Sequence, residues 1–281
     1  EYFHEKIELN KFWRLIPPSL TPIQKYVFKN NIDREFDIII SCGRKSVIPS
    51  IYLKKISSKK IINIHIQNPK VSFNNFDYIV APIHDGISGS NIIRTKGAIH
   101  YITLNEIEDS KNYLVNKIQN SKEVLTLVLG GPNKYYDFSD KNIKSIFYKI
   151  KILIKKNNLH LIIIPSNRTP NDAISLAKSE FTNDATIIDS IDKKAYLSAL
   201  GLAKFIIVTC DSSSMISEAA LTGKPVYVAM MQAKRNDTRF KNFRKLFENM
   251  GILRKLGDNL ETWNYESLNE AIRVAKEIKI K

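Results

Sequence analysis

Six short segments hold most of the residues able to do chemistry. In the first half they are Ser41-Cys42-Gly43-Arg44-Lys45-Ser46, Gln67-Asn68-Pro69-Lys70 and Pro82-Ile83-His84-Asp85-Gly86. In the second half they are Gly130-Gly131-Pro132-Asn133, Pro165-Ser166-Asn167-Arg168-Thr169-Pro170 and Thr209-Cys210-Asp211-Ser212-Ser213-Ser214. Glycines, hydroxyls, amides and cations dominate, a set suited to a phosphorylated, hydroxyl-rich ligand. Gly130-Gly131 lets backbone N–H groups approach a ligand with no Cβ in the way, although a Gly-Gly-Pro turn also serves simply as a turn. Three serines opening a helix at 212–214 offer hydroxyls and free amides to a diphosphate. Glu218 follows Ser214 by four residues, one turn inward on the same face, where a carboxylate can accept both hydroxyls of a ribose. A serine N-cap followed by a solvated glutamate reads equally well. Arg168, between Ser166 and Thr169 and ahead of Pro170, suits a phosphate or carboxylate, or is a surface arginine closing a loop. Arg44 after Gly43 carries the same two readings. His84-Asp85 reads as a base oriented by a carboxylate, or as a loop histidine followed by a cap.

These segments must be positioned by the apolar runs that precede them. Such runs stand at 36–40, 61–66 and 76–81, with 99–104 as a further candidate, then at 124–129, 160–164, 185–188, 205–208 and 226–229. Continuous rather than alternating apolar runs fit strands buried on both faces of a parallel sheet. Between them, Ile143, Ile146, Phe147, Ile150 and Leu153 keep helical spacing, with Ser139 as N-cap. Tyr265, Leu268, Ala271, Ile272, Ala275 and Ile278 put a similar stripe on a C-terminal helix, and 221–225 reads as a helix stop. The pattern predicts an α/β protein of two Rossmann-like, doubly wound domains, 1–115 and 116–281, joined through the polar stretch 105–123, with the last helix packing back toward the first domain. In such sheets ligands bind beyond the carboxyl ends of the strands, where all six segments fall.

The chain has 281 residues, 43% hydrophobic and 25% charged, enough apolar material for a core. Its longest apolar runs fall far short of a membrane span. Cys42 and Cys210 are too few for a disulfide framework or a cysteine zinc site and suit a reducing compartment. The net charge of +15 is expected to draw the protein toward polyanions or an anionic membrane, or else reflects a composition in which Ile, Lys and Asn dominate together, as in proteins from AT-rich genomes. Nucleic acid is disfavoured, because no lysine block exceeds two residues and aromatics are not interleaved with the cations. The segment Trp13-Arg14-Leu15-Ile16-Pro17-Pro18 suits membrane approach, or Trp13 is a domain-edge core residue. The chain begins at Glu1 without a signal peptide, and a segment upstream is expected.

The ordered set GRKS (43–46), IQNP (66–69), VAPIHD (80–85), LGGPN (129–133), PSNRTP (165–170), TCDSSSMISEAALTGKPVYV (209–228) and RFKNF (239–243) resembles the elongated-mitochondria (Elm) type mitochondrial fission family over essentially the whole chain. No Gly-x-Gly-x-x-Gly fingerprint or Tyr-x-x-x-Lys pair supports the epimerase label often attached to bacterial members. The second half is also similar to the donor half of GT-B glycosyltransferases, in particular the enzyme that adds N-acetylglucosamine to the lipid precursor of peptidoglycan. The resemblance implies a GT-B-like fold of two domains facing a cleft, with the N-terminal domain lacking its first strand and loop. It further implies a metal-independent, cofactor-free transferase taking a nucleotide-diphosphate sugar. Gly131, Ser212, Ser213 and Ser214 would then contact the diphosphate, Glu218 the ribose, and Arg168 the leaving phosphates. Gly130, Asn133, Ser166, Thr169 and Asp211 complete the donor side, Arg44 and Gln67 stand on the acceptor side, and His84 or Asp85 is the base.

The implied partners are a nucleotide-sugar donor, a lipid-linked or saccharide acceptor, and an anionic membrane at its cytoplasmic face or at the cytosolic face of mitochondria. The rival expectation is a non-catalytic adaptor at a membrane surface that recruits a partner such as a dynamin-related fission factor. The adaptor reading makes Glu218 and Arg168 dispensable; the enzyme reading makes them essential.

Overall fold

The computed structural model describes residues 2–32, 34–118, 122–181 and 185–278. It divides into two units, 1–95 with 272–281, and 96–271. The first unit holds β1 (Ile38–Cys42), α1 (Val47–Ile56), β2 (Ile62–Ile66), β3 (Tyr78–Pro82) and β4 (Ile92–Thr95), whose strands form one parallel sheet in chain order. The apolar runs at 61–66 and 76–81 are the two central strands of that sheet, buried at Asn63, Ile64, His65, Ile79, Val80 and Ala81. Leu9, Val27 and Phe28 close over α1 and Ile79 in the same core.

The second unit begins with α2 (Leu104–Ser110) and continues through β5 (Val124–Leu129), α3 (Asp140–Asn157), β6 (His160–Pro165), α4 (Asn171–Glu180), β7 (Ala185–Ile187), α5 (Lys193–Leu202), β8 (Ala203–Thr209), α6 (Ser213–Ala220), β9 (Val226–Ala229), α7 (Thr238–Asn249) and β10 (Leu253–Lys255). α8 (Glu270–Glu277) starts in this unit and ends in the first. The six strands are parallel in the order β10-β9-β8-β5-β6-β7. The winding steps outward from β5 to β7, then returns to set β8 on the other side of β5. That reversal is a topological switch point, and in doubly wound sheets it opens a crevice at the carboxyl ends of the two strands flanking it. β5 is buried along its whole length, its apolar sequence interrupted only by Thr126, whose hydroxyl donates to Ala199 O at 2.7 Å. The helical stripe of Ile143, Ile146, Phe147, Ile150 and Leu153 is buried on α3 as its spacing predicts.

Several expectations change. The run 99–104 is not a strand: Thr103 caps α2 through a reciprocal box with Glu106, and the stretch before it is held by Ser217 Oγ, which accepts from Ala98 N at 2.9 Å. β4 and β10 were not legible, because each is a short strand at the end of its sheet carrying cations (Arg94; Arg254 and Lys255). The domain boundary lies between Thr95 and Lys96, not at 115, since Ser198 Oγ of α5 accepts from Leu114 N and donates to Lys111 O. The C-terminal helix begins at Glu270; Tyr265 and Leu268 precede it, tied to Lys224 O and Ala220 O. Ser139 sits at the N-cap of α3 but makes no capping bond; its hydroxyl donates to Asp137. No helix among the described residues is long and apolar enough to cross a membrane.

Candidate functional site

At the switch point β5 delivers Gly130-Gly131, β6 delivers Ser166 to Thr169, and β8 delivers Asp211 to Ser214. Asp211 is the hub. Its side chain is wholly excluded from solvent and faces the Arg168 guanidinium at 2.8 Å. It also accepts from Gly131 N at 3.1 Å and from Thr209 Oγ1 at 2.7 Å, while Thr209 Oγ1 accepts from Gly130 N at 2.8 Å. A buried carboxylate needs this much compensation. Arg168 spends a second nitrogen on Gly131 O at 2.9 Å.

The glycines have an internal cause. A Cβ on Gly130 would stand 2.2 Å from both Asp211 oxygens, and one on Gly131 2.0 Å from Arg168 O. The Gly-Gly pair is therefore required by packing before any ligand arrives. Asn133 donates from Nδ2 to Asp211 O at 3.1 Å and accepts from Tyr135 N and Tyr136 N, an Asx turn that fixes the rim. Thr169 Oγ1 accepts from Ser166 N at 2.8 Å and reaches Leu129 O at 2.9 Å. Ser166, Thr169, Asn133 and Asp211 thus shape the site with side chains turned to the protein, not to a ligand. Arg168, expected as a free cation for phosphates, shares its charge with Asp211, though 41% of its side chain remains exposed.

The part turned outward is α6. Ser212 is its N-cap and accepts from Met215 N at 3.3 Å. The amides of Ser213 and Ser214 open the helix, where no preceding turn offers them an acceptor. Ser214 is exposed and Ser213 half-buried. Glu218, half-buried one turn on, accepts through Oε2 from Tyr196 Oη at 2.6 Å. Burial pushes the Glu218 carboxyl up, and the Tyr196 hydrogen bond offsets this only in part. The tyrosine itself is held well above its ordinary value by burial and by the carboxylate. Tyr196 was not found from sequence, because nothing in α5 signals a partner two elements away.

A second layer supports the rim. Tyr136 Oη donates to Asp237 Oδ2, Arg244 reaches Asp237 at 3.1 Å and Tyr136 Oη at 3.0 Å, and Lys241 lies 3.1 Å from the other Asp237 oxygen. Burial raises the Asp237 pKa, but the bonds from Tyr136, Arg244 and Lys241 outweigh it and hold the carboxyl at about 2. Burial pushes the Cys210 thiol up to about 11. The RFKNF segment marks this place on α7, although Arg244 itself was not singled out.

The remaining candidates belong to the first unit. His84 and Asp85 share a short turn after β3, both side chains nearly buried, and His84 Nε2 is 4.0 Å from Asp85 Oδ1. That exceeds a hydrogen bond, so Asp85 does not orient the imidazole in this way. Arg44, after Gly43 at φ +78°, donates to Ile16 O at 2.6 Å. Gln67 follows β2 at φ +88°, a left-handed conformation unusual for a side-chain-bearing residue, and donates its backbone amide to Val80 O at 2.7 Å. Beside it His65, buried and bonded to Ser41 Oγ at 2.8 Å, is pushed down to about 4 by burial. Among the described residues no group of three His, Cys, Asp or Glu lies together as a metal cluster would.

Comparisons with known proteins agree with this architecture. The profile of a family described as "Mitochondrial fission ELM1" matches residues 1–281. The uncharacterized protein RP120 of Rickettsia prowazekii is 30% identical over 288 residues, covering 86% of this chain and 79% of that protein. The mitochondrial fission protein ELM1 of Arabidopsis thaliana is 22% identical over 272 residues, and this chain spans only 63% of its length. Among solved structures, UDP-GlcNAc 2-epimerase from Methanocaldococcus jannaschii superimposes with a TM-score of 0.55 at 15% identity, over 86% of this chain and 77% of that one. That likeness fixes the fold as GT-B-like, and the profile match over the whole chain places it in the mitochondrial fission ELM1 family.

Proposed function

We propose that the second unit binds a nucleotide-diphosphate sugar at the switch point between β5 and β8, and that the protein is a metal-independent GT-B-like glycosyltransferase. The observation that carries the reading is the pairing of the open α6 N-terminus with Glu218 one turn further on. Amides at a helix start favour an anion, with about 0.3–1 kcal/mol from the helix dipole. The diphosphate then rests on Ser213 and Ser214, beside Gly131 and the exposed edge of Arg168. Tyr196 holds one oxygen of Glu218 and leaves the other to accept from ribose hydroxyls. A UDP sugar is the first candidate, by analogy with the epimerase of like fold. The acceptor side is assigned to the first unit, with Arg44 and Gln67 binding a saccharide or lipid-linked acceptor and His84 or Asp85 taking its proton.

One observation favours the second reading, a non-catalytic adaptor that recruits a partner such as a dynamin-related fission factor. The charge of Arg168 is already balanced by a buried carboxylate, which leaves less for a leaving diphosphate. Calorimetric titration with UDP, GDP, CMP and ADP separates the two. The transferase reading expects saturable binding of one nucleotide, weakened by about 1–3 kcal/mol in Glu218→Ala through lost ribose hydrogen bonds. Binding of none of the four, by protein whose melting shows it folded, refutes that reading and leaves the adaptor.

A further inference from the structure

Residues 9–30 of the first unit make a closed excursion. An antiparallel bridge between Leu9 and Phe28 ties its base, reinforced by Asn10 N to Val27 O at 3.0 Å and Lys29 N to Glu8 O at 2.8 Å. Leu9, Val27 and Phe28 are buried there. Beyond the base the residues turn outward: Phe12 is 64% exposed, Leu15 83%, Leu20 73% and Tyr26 59%. Trp13 is the anchor between the two zones. Half-buried against the core, it meets Phe12 edge-on at 4.8 Å and Tyr26 at 6.0 Å. The tip is held in shape, with Arg44 donating to Ile16 O, Thr21 Oγ1 to Pro17 O at 2.9 Å, and Arg14 Nε to Leu9 O at 3.0 Å. Three large apolar side chains face water within nine residues, on a loop fixed by hydrogen bonds, a concentration of exposed apolar residues that calls for a partner.

Charge says which partner. The stretch 9–30 contains Lys11, Arg14, Lys25 and Lys29 and no Asp or Glu. Arg44, which joins the tip, lies in a second run, 38–76, that also lacks any carboxylate. Lys29 faces Glu8 at 3.6 Å, and that pair lies at the base, not at the tip. Exposed Phe, Leu and Tyr interspersed along the loop with Lys and Arg match the two layers of an anionic membrane: acyl chains for the apolar residues, acidic headgroups for the cations. A fixed loop also loses little conformational freedom on insertion.

We propose that the loop 11–26 is a membrane-docking element, which inserts Phe12, Leu15 and Leu20 at the headgroup boundary of an anionic bilayer while Lys11, Arg14 and Arg44 contact its phosphates. This stands independently of the nucleotide reading. The test is co-sedimentation with phosphatidylcholine vesicles, with and without phosphatidylglycerol, at low and high salt. The unaltered chain is expected to bind only the anionic vesicles and to release as salt screens the cations. Phe12→Ser/Leu15→Ser/Leu20→Ser is expected to weaken binding at least about tenfold. Lys11→Glu should cost about fivefold or more. These side chains face solvent, and an unchanged melting temperature checks that the variants fold. In Trp263→Phe, bromine-labelled acyl chains are expected to quench the fluorescence of Trp13. The proposal is overturned by no binding to anionic vesicles, by equal binding to neutral ones, or by full affinity in the triple variant. A dimer in solution that the triple variant abolishes also overturns it, since a second copy would then cover the patch.

Discussion

Gly130→Ala tests why the glycine pair exists. The new methyl would sit 2.2 Å from both Asp211 oxygens, about 1 Å inside van der Waals contact, so the carboxylate must move. It cannot move while keeping Gly131 N at 3.1 Å, Thr209 Oγ1 at 2.7 Å and Arg168 at 2.8 Å. Charge-assisted bonds contribute about 1.5–3 kcal/mol each, and disrupting a buried ion pair costs about 3–5 kcal/mol, so a loss of roughly 3–5 kcal/mol is expected. Part of this is offset because Arg168 can turn to water. The decisive measurement is a double-mutant cycle with Asp211→Ala, followed by denaturant unfolding and by thermal melting. Removing the carboxylate removes the clash, so Gly130→Ala should then cost about 2 kcal/mol less than in the unaltered chain. Asp211→Asn, which keeps the shape, should leave most of the penalty in place. If the costs in the unaltered and Asp211→Ala backgrounds agree within about 0.5 kcal/mol, the carboxylate is not what forbids a side chain at 130, and ligand approach becomes the better explanation.

Two further expectations concern pH. His65 is pushed down to about 4 from an ordinary 6.5, so the unfolded chain binds more protons and stability should rise as pH increases from about 4 to 6.5. The full effect is about 3 kcal/mol; denaturant melts of His65→Asn across that window should be flatter, and an unchanged slope would exclude His65 as the source. Asp237 is depressed to about 2 from 3.8, so its contribution is complete above about 4 and lost as pH falls toward 2. Asp237→Asn should remove about 2 kcal/mol at neutral pH and little near pH 2, and an equal loss at both would show that the Tyr136, Arg244 and Lys241 bonds do not depend on the charge.

Most buried strands could be read from sequence, because the runs 61–66, 76–81, 124–129 and 160–164 coincide with strands whose centres are buried; the run 36–40 misleads, since β1 covers Ile38–Cys42 and leaves Ile38 and Ile40 exposed. β4 and β10 escaped because Arg94, Arg254 and Lys255 break that signal, and a strand at the end of a sheet tolerates the break. The loops of the candidate site could be read for the same reason as the strands: residues that follow a parallel strand lie at the ligand end. Their partners could not. That Asp211 turns inward to Arg168 and Gly131, while Ser213 and Ser214 turn outward, depends on side-chain directions around a crevice built from three separate strands.

The sequence by itself determined that this is a two-unit α/β protein, which six segments lie at strand ends, and, through their order, the family to which it belongs. Local composition and period carry that information, because burial of a strand or a helix face is written into consecutive residues. Only the tertiary structure decided that β8 returns beside β5 and so makes a switch point, that Asp211 rather than a ligand requires Gly130, and that Tyr196 holds Glu218. Those outcomes join residues 22 to 81 positions apart, and no local pattern encodes which distant group a buried charge will find.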